Sequence, residues 1–122
     1  MVRSRVVDHA AAKQALLTLQ TNGVVWAEGG GQAHLWKRLD AMDLNPGTTM
    51  EEFDALVRSI AEDSAAHVYL DEGDTRLGGA IWVLGTGAGR EAWLVKVHAG
   101  GEVRTAFPRV AAEDYLYDKG SR

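Results

Sequence analysis

The sequence predicts an α+β domain in which N-terminal helices pack on a four- to five-stranded antiparallel β-meander. Three observations lead there. Apolar residues recur at helical spacing as far as about residue 62, the pattern then turns into short runs of strand length, and brief Gly-rich or acidic turns separate those runs. Closely spaced strands with short connections pair as neighbours, which favours a meander over crossovers. Residues 1–122 read as a single domain, with helices over about 9–62 and the meander over about 66–107.

Asp8 stands where a cap would open a helix running from His9 to about Thr21, and Asn22-Gly23 supplies its stop. Ala12, Ala15, Leu16 and Leu19 give this helix an apolar stripe. Val24 to Ala27 reads as a short strand or extended piece. Gly29, Gly30 and Gly31 then break the chain ahead of a second helix from Ala33 to about Met42, with Leu35, Leu39 and Met42 facing inward. Asn45-Pro46-Gly47 is a turn. Thr49 and Glu52 form a capping box for a third helix reaching about Glu62, whose buried stripe is Phe53, Leu56, Val57 and Ile60.

The strands are expected at about Ala66 to Leu70, Ala80 to Leu84, Glu91 to His98 and Glu102 to Phe107, and Val110 to Tyr117 adds a last helical turn. For the final hairpin, a three-residue loop of Ala99, Gly100 and Gly101 sets Val97 against Val103, Val95 against Thr105 and Trp93 against Phe107 on one face. A two-residue loop would mix apolar and charged residues on both faces, so the patterning selects the longer loop. The chosen register puts Lys96 across from Arg104 and His98 across from Glu102. Two cations facing each other are unfavourable, and a carboxylate or a substrate phosphate would relieve them.

Composition narrows the function classes. Apolar residues make up 46% and charged residues 25%, as in an ordinary folded domain, and there is no cysteine for a disulfide, a thiolate metal site or a thiol nucleophile. No apolar run is long enough for a membrane helix, and the basic N-terminus lacks the apolar stretch of a secretory signal. A cytoplasmic site of synthesis fits best, and secretion or delivery within a larger toxin is compatible with it. The net charge of −4 runs against nucleic-acid binding. Its distribution softens that objection: Met50 to Asp74 holds eight acids and one base, while the remainder sums to +3.

Two clusters carry candidate chemistry. On the second helix, His34, Lys37 and Arg38 share a face, and a His beside two cations stays neutral and able to act as a base. On the strands, Lys96, His98 and Arg104 could meet the charged oxygens of a phosphodiester, with Thr105 on the apolar side of the hairpin. The plain alternatives are a solvated basic helix face and a solvent-facing sheet surface with a His98–Glu102 ion pair. Trp36 or Trp82 could stack a base. Gly85 to Gly89 precedes a strand, so it lacks phosphate-loop geometry, and Asp71-Glu72-Gly73-Asp74 reads as a solvated turn. His9, His34, His67 and His98 have no metal-binding spacing, so no metal and no other cofactor is expected.

A helix bearing His34-x-x-Lys37, a further helix, and a meander ending in Thr105-Ala106-Phe107-Pro108 resembles the barnase/EndoU/colicin/RelE-like ribonuclease superfamily, above all its toxin members with a His-x-x-Lys-His helix and a Thr-Ala-aromatic-Pro strand end. The resemblance spans about Ala33 to Pro108. It implies metal-independent RNA cleavage, tRNA included, by attack of the ribose 2′-hydroxyl on phosphate. It further implies His34 as base or acid, Lys37 as a charge stabiliser, and Thr105 as a holder of substrate or of a neighbouring group. Arg38 stands where the family's second His is usual, so the acid role passes to His98, and Arg38, Lys96 and Arg104 serve the phosphate. An antitoxin or immunity protein is the implied partner. The rival reading is a non-enzymatic interaction module, immunity- or antitoxin-like, using the acidic face 51–74.

Overall fold

Helix α1 (His9–Asn22) buries Ala12, Ala15 and Leu19 and stops at Gly23. Gly23 has φ +81 and bonds its N–H to the Leu19 carbonyl at 2.8 Å. The structure, a computed structural model, describes residues 9–71, 73–87, 91–109 and 116. Asp8 and the helical turn expected at Val110 to Tyr117 lie outside these, Leu116 excepted.

Helix α2 spans Gly31–Asp40, starting and ending about two residues earlier than the sequence predicts. At its start, a Cβ on Gly31 would lie 2.5 Å from Trp26 Cδ1, so the glycine admits the indole and the helix begins there instead of after the glycines. At its end, Met42 takes φ +58, while the Met42 and Asp43 N–H groups bond back to Leu39 and Arg38. That turn throws Met42 outward to 87% exposure, which corrects its expected inward placement. Helix α3 (Met50–Glu62) opens with the full Thr49–Glu52 capping box and buries Phe53, Val57, Ile60 and Ala61.

Strands β1 (His67–Asp71), β2 (Ala80–Thr86), β3 (Ala92–His98) and β4 (Val103–Pro108) form one antiparallel sheet in the order of the chain. The extended piece before α2 does not make a fifth strand. It meets β4 through one parallel bridge, Trp26 to Val103, in which the Val103 N–H donates to the Val25 carbonyl at 2.8 Å. This contact brings the residues after Trp26 alongside the start of β4.

The two sheet faces differ. Ile81, Val83, Trp93, Val95, Val97, Val103 and Ala106 join Leu19, Leu35, Phe53, Val57 and Ile60 in the main core. Each full burial of this kind contributes roughly 1.5–3 kcal/mol. Gly85 is required by this packing, because a Cβ there would lie 2.7 Å from Ile60 Cγ2. The opposite face carries Trp82, Leu84, Leu94 and Phe107 together with Asp71, Lys96 and His98, all three buried. Among the described residues no helix is long and apolar enough to cross a membrane.

The last hairpin departs from its predicted register at one residue. Val97 pairs with Val103 and the His98 N–H bonds to the Glu102 carbonyl, as a three-residue loop requires. A β-bulge follows. Lys96 then pairs with Thr105, Val95 with Ala106, Leu94 with Phe107 and Trp93 with Pro108. Arg104 is the extra residue on the bulged strand, so Lys96 is not opposite Arg104 and Thr105 is not on the apolar side. A bulge flips everything beyond it to the other face. It buries the small Ala106 in the core and brings Thr105 and Phe107 to the outer face.

Candidate functional site

The outer face of the sheet holds a cleft of about 530 Å³, lined by Asp74, Arg76, Trp82, Lys96, Arg104, Thr105 and Phe107 among others. Its floor is charged. The Lys96 ammonium lies 2.9 Å from Asp71 and 2.6 Å from Asp74, and 5.2 Å from the centroid of the Trp82 ring. Asp71 also accepts from the Trp82 indole N–H at 3.0 Å, and Asp74 from Arg76 at 2.8 and 3.1 Å. Burial pushes the Asp74 carboxyl upward, but hydrogen bonds from Arg76 and Lys96 outweigh it and hold the group well below the ordinary carboxylate range. Asp71 and Asp74 therefore belong to the cleft floor and not to a solvated turn.

Lys96 thus finds its counterions inside the protein. With Arg76 it is balanced by two carboxylates, so the cleft floor carries no surplus positive charge from these four groups. Of the expected base-stacking residues, Trp82 is buried with its indole N–H taken by Asp71, and Trp36 is 61% exposed on α2.

Beside the part of the cleft lined by Arg104 and Thr105, three elements meet. Helix α2 brings His34, stacked on Trp26 with ring centroids 5.3 Å apart. Strand β4 brings Thr105, whose hydroxyl lies 3.5 Å from His34 Nδ1, at the outer edge of hydrogen-bond range. The bulge brings Arg104. Burial, then the charges of Lys37, Arg38 and Arg104, lower the pKa of His34 from the ordinary 6.5, so its imidazole is neutral at pH 7. Arg38 is half-buried, pairs with Asp43 at 2.8 Å and lies 5.9 Å from the centroid of the Phe107 ring. Lys37 is exposed on the same helix. Lys96, Arg104 and Thr105 line the cleft, and Thr105 connects it to His34, which stands beside the cleft with Lys37 and Arg38 outside its lining.

His98 has a different situation from the one expected. Its side chain is fully buried. Nδ1 lies 3.0 Å from the Gly79 carbonyl, and Nε2 accepts from Arg104 Nε at 3.0 Å. A carbonyl can only accept and Arg104 can only donate, so the proton sits on Nδ1 and the lone pair on Nε2. Both nitrogens are engaged by the protein itself. The imidazole lacks the geometry of a proton donor to substrate, and it makes no ion pair with Glu102.

Arg104 has two further contacts to account for. Nη1 lies 3.5 Å from the Glu28 carboxylate, whose side chain is 74% exposed, while Nη2 is buried with no acceptor among the described residues. Arg38 Nε is likewise buried without an acceptor. Unmatched buried donors are uncommon, and guanidinium groups of this kind suit an anion. Glu28 has φ +58, and Leu77, next to Arg76, has φ +49. Such backbone costs about 1 kcal/mol or more per residue and clusters at functional sites.

Sequence reasoning missed Asp71, Asp74 and Glu28. The first two were foreshadowed by the need of Lys96 for an anion, whereas Glu28 depends on the parallel bridge, which no local pattern encodes. The described acids of the block have different surroundings. Glu51 and Glu52 are exposed at the start of α3, Asp54 accepts from the Trp26 indole at 2.7 Å, Glu62 pairs with Arg58, and Asp71 and Asp74 are buried in the cleft. Among the described residues, no three His, Asp or Glu side chains group in a way that could hold a metal ion. No protein-family model, curated protein or solved structure matches this chain.

Proposed function

We propose that this domain is a metal-independent endoribonuclease of toxin type, with the outer sheet face as its substrate cleft. The observation that carries the reading is a neutral imidazole and a hydroxyl beside a guanidinium whose buried N–H has no acceptor. Those are the groups that phosphodiester cleavage needs: a base near neutrality and fixed donors for the charge that develops on phosphate.

In this reading His34 takes the proton of the ribose 2′-hydroxyl, and the 2′-oxygen bonds to phosphorus. The bond from phosphorus to the 5′-oxygen breaks, leaving a cyclic phosphate. The departing 5′-oxygen takes its proton from solvent, because both nitrogens of His98 are engaged. Arg104 stabilises the non-bridging oxygens, and Thr105 orients His34 or the substrate. Lys37 adds positive field, with Arg38 and Lys96 contributing less because Asp43 balances the first and Asp71 and Asp74 the second. RNA, tRNA included, is the substrate class, and the cytoplasm is where it would be met. An antitoxin or immunity protein would inhibit by bringing carboxylates to Arg104 and Lys37.

The test is incubation of the protein with total RNA in excess chelator, beside its His34→Ala variant. Cleavage by the parent, reduced at least about a hundredfold in the variant, is the expected result, the size of losing an acid–base group. Equal cleavage by both would remove His34 from the reaction. Salt-sensitive RNA binding without cleavage would mark a binding domain instead.

A further inference from the structure

We infer that His98 is a positioning residue: a buried neutral imidazole whose Nε2 lone pair holds the Arg104 guanidinium in the cleft without cancelling its charge. The functional arm rests on the ribonuclease reading above, while the geometry stands apart from it.

Arg104 is the bulged residue of β4, so no cross-strand neighbour sets the direction of its side chain. Two partners do. One is Glu28, an exposed ion-pair partner 3.5 Å away, which an incoming phosphate can displace. The other is His98, fully buried and 3.0 Å from Arg104 Nε. The imidazole is itself held. Gly79, at φ +98, presents its carbonyl to both the Ala99 N–H and His98 Nδ1, each at 3.0 Å, tying the ring to the turn just ahead of β2. The second nitrogen of the ring is thereby left as an acceptor aimed at Arg104.

The choice of acceptor matters electrostatically. A carboxylate in this place would hold the guanidinium equally well but would neutralise it, as Asp71 and Asp74 balance Lys96. A neutral imidazole supplies the hydrogen bond without cancelling charge, which leaves the exposed Glu28 as the only counterion an incoming anion must displace, among the described residues. The same cleft thus contains Lys96 and Arg76, both paired with buried carboxylates, and Arg104, held by a neutral group, and Arg104 is the one fitted to receive phosphate.

The test uses the whole chain and three variants. In the parent, nitrogen NMR should show His98 protonated on Nδ1 and the Arg104 Nε–H protected from exchange. A proton on Nε2, or an unprotected Arg104 Nε–H, would overturn the inference. His98→Asn is too short to reach Arg104 and should weaken the binding of a non-cleavable 2′-deoxy dinucleotide about ten- to a hundredfold, as for one hydrogen bond to a charged group. His98→Gln places an amide oxygen near the position of Nε2 and should recover most of that loss. His98→Glu should keep Arg104 Nε–H protected yet still bind the dinucleotide poorly. Equal affinity in the Asn and Gln variants would refute the positioning role, and should the Asn variant not fold, equal affinity of the Glu variant and the parent would do so. If the parent cleaves no RNA while the NMR result holds, the ribonuclease reading fails and the positioning of Arg104 stands.

Discussion

The two faces of the sheet come from the same four strands but are stabilised by different physics. The helix-facing side is apolar throughout and gains its stability from buried area. The outer side buries Asp71, Asp74, Lys96 and His98, whose desolvation is compensated only by specific partners. One face tolerates changes of shape within its volume, while the other depends on each charge keeping its counterpart. Polar burial on that scale is a poor way to add stability, and it fits a surface arranged to receive a ligand.

The largest effect should come from the apolar face. Trp93→Ala removes a fully buried indole and should cost about 3–5 kcal/mol in urea unfolding. A loss under about 1 kcal/mol would mean that this face is not the core. On the outer face, Lys96→Ala removes the ammonium shared by two buried carboxylates, leaving Asp74 to Arg76 and Asp71 to the Trp82 indole, and should cost about 3 kcal/mol at pH 7. The deficit should shrink in acid. In the parent, the Asp74 carboxyl is held below its ordinary 3.8, so its contribution is complete above that pH and is lost as pH falls through the folded value. A deficit under about 1 kcal/mol at pH 7 would show that Lys96 is not compensating buried charge.

A smaller effect concerns His34. Its folded pKa lies below 6.5, so the neutral form favoured by folding is complete above pH 6.5. Stability should decline as pH drops below 6.5 toward the lower folded value, and cleavage that uses His34 as a base should keep its rate down to pH 6.5 and fall beneath it. An acid limb centred above 6.5 would contradict this. The smallest change is outside both faces. Met42→Gly relieves a left-handed residue at the end of α2 and should stabilise by about 0.5–1 kcal/mol in thermal unfolding.

The apolar side was legible in the sequence because its signal is periodic. Thr49-x-x-Glu52 gave both the cap and the start of α3, and the alternation from Trp93 to Val97 gave the core face of β3. The three-residue loop was legible for the same reason, since Val97 and Val103 had to meet. What failed was local and geometric. Nothing in the spacing announces the bulge at Arg104, so Thr105 was assigned to the wrong face and the opposition of Lys96 and Arg104 was illusory. The acidic turn was misjudged because Asp71 and Asp74 look like solvent-facing residues until a buried ammonium is placed between them. His98 shows a different limit: a histidine on a strand signals acid–base chemistry in sequence, while its role here depends on what each ring nitrogen touches.

The central claim is that the outer face is a site for RNA phosphodiester cleavage driven by the ribose hydroxyl. The most direct measurement compares one RNA with its fully 2′-O-methylated counterpart, both incubated with the protein in chelator. The account predicts that the unmodified strand is cut to products ending in a cyclic phosphate and that the methylated strand stays whole. Cleavage of both strands, or of neither, would contradict it.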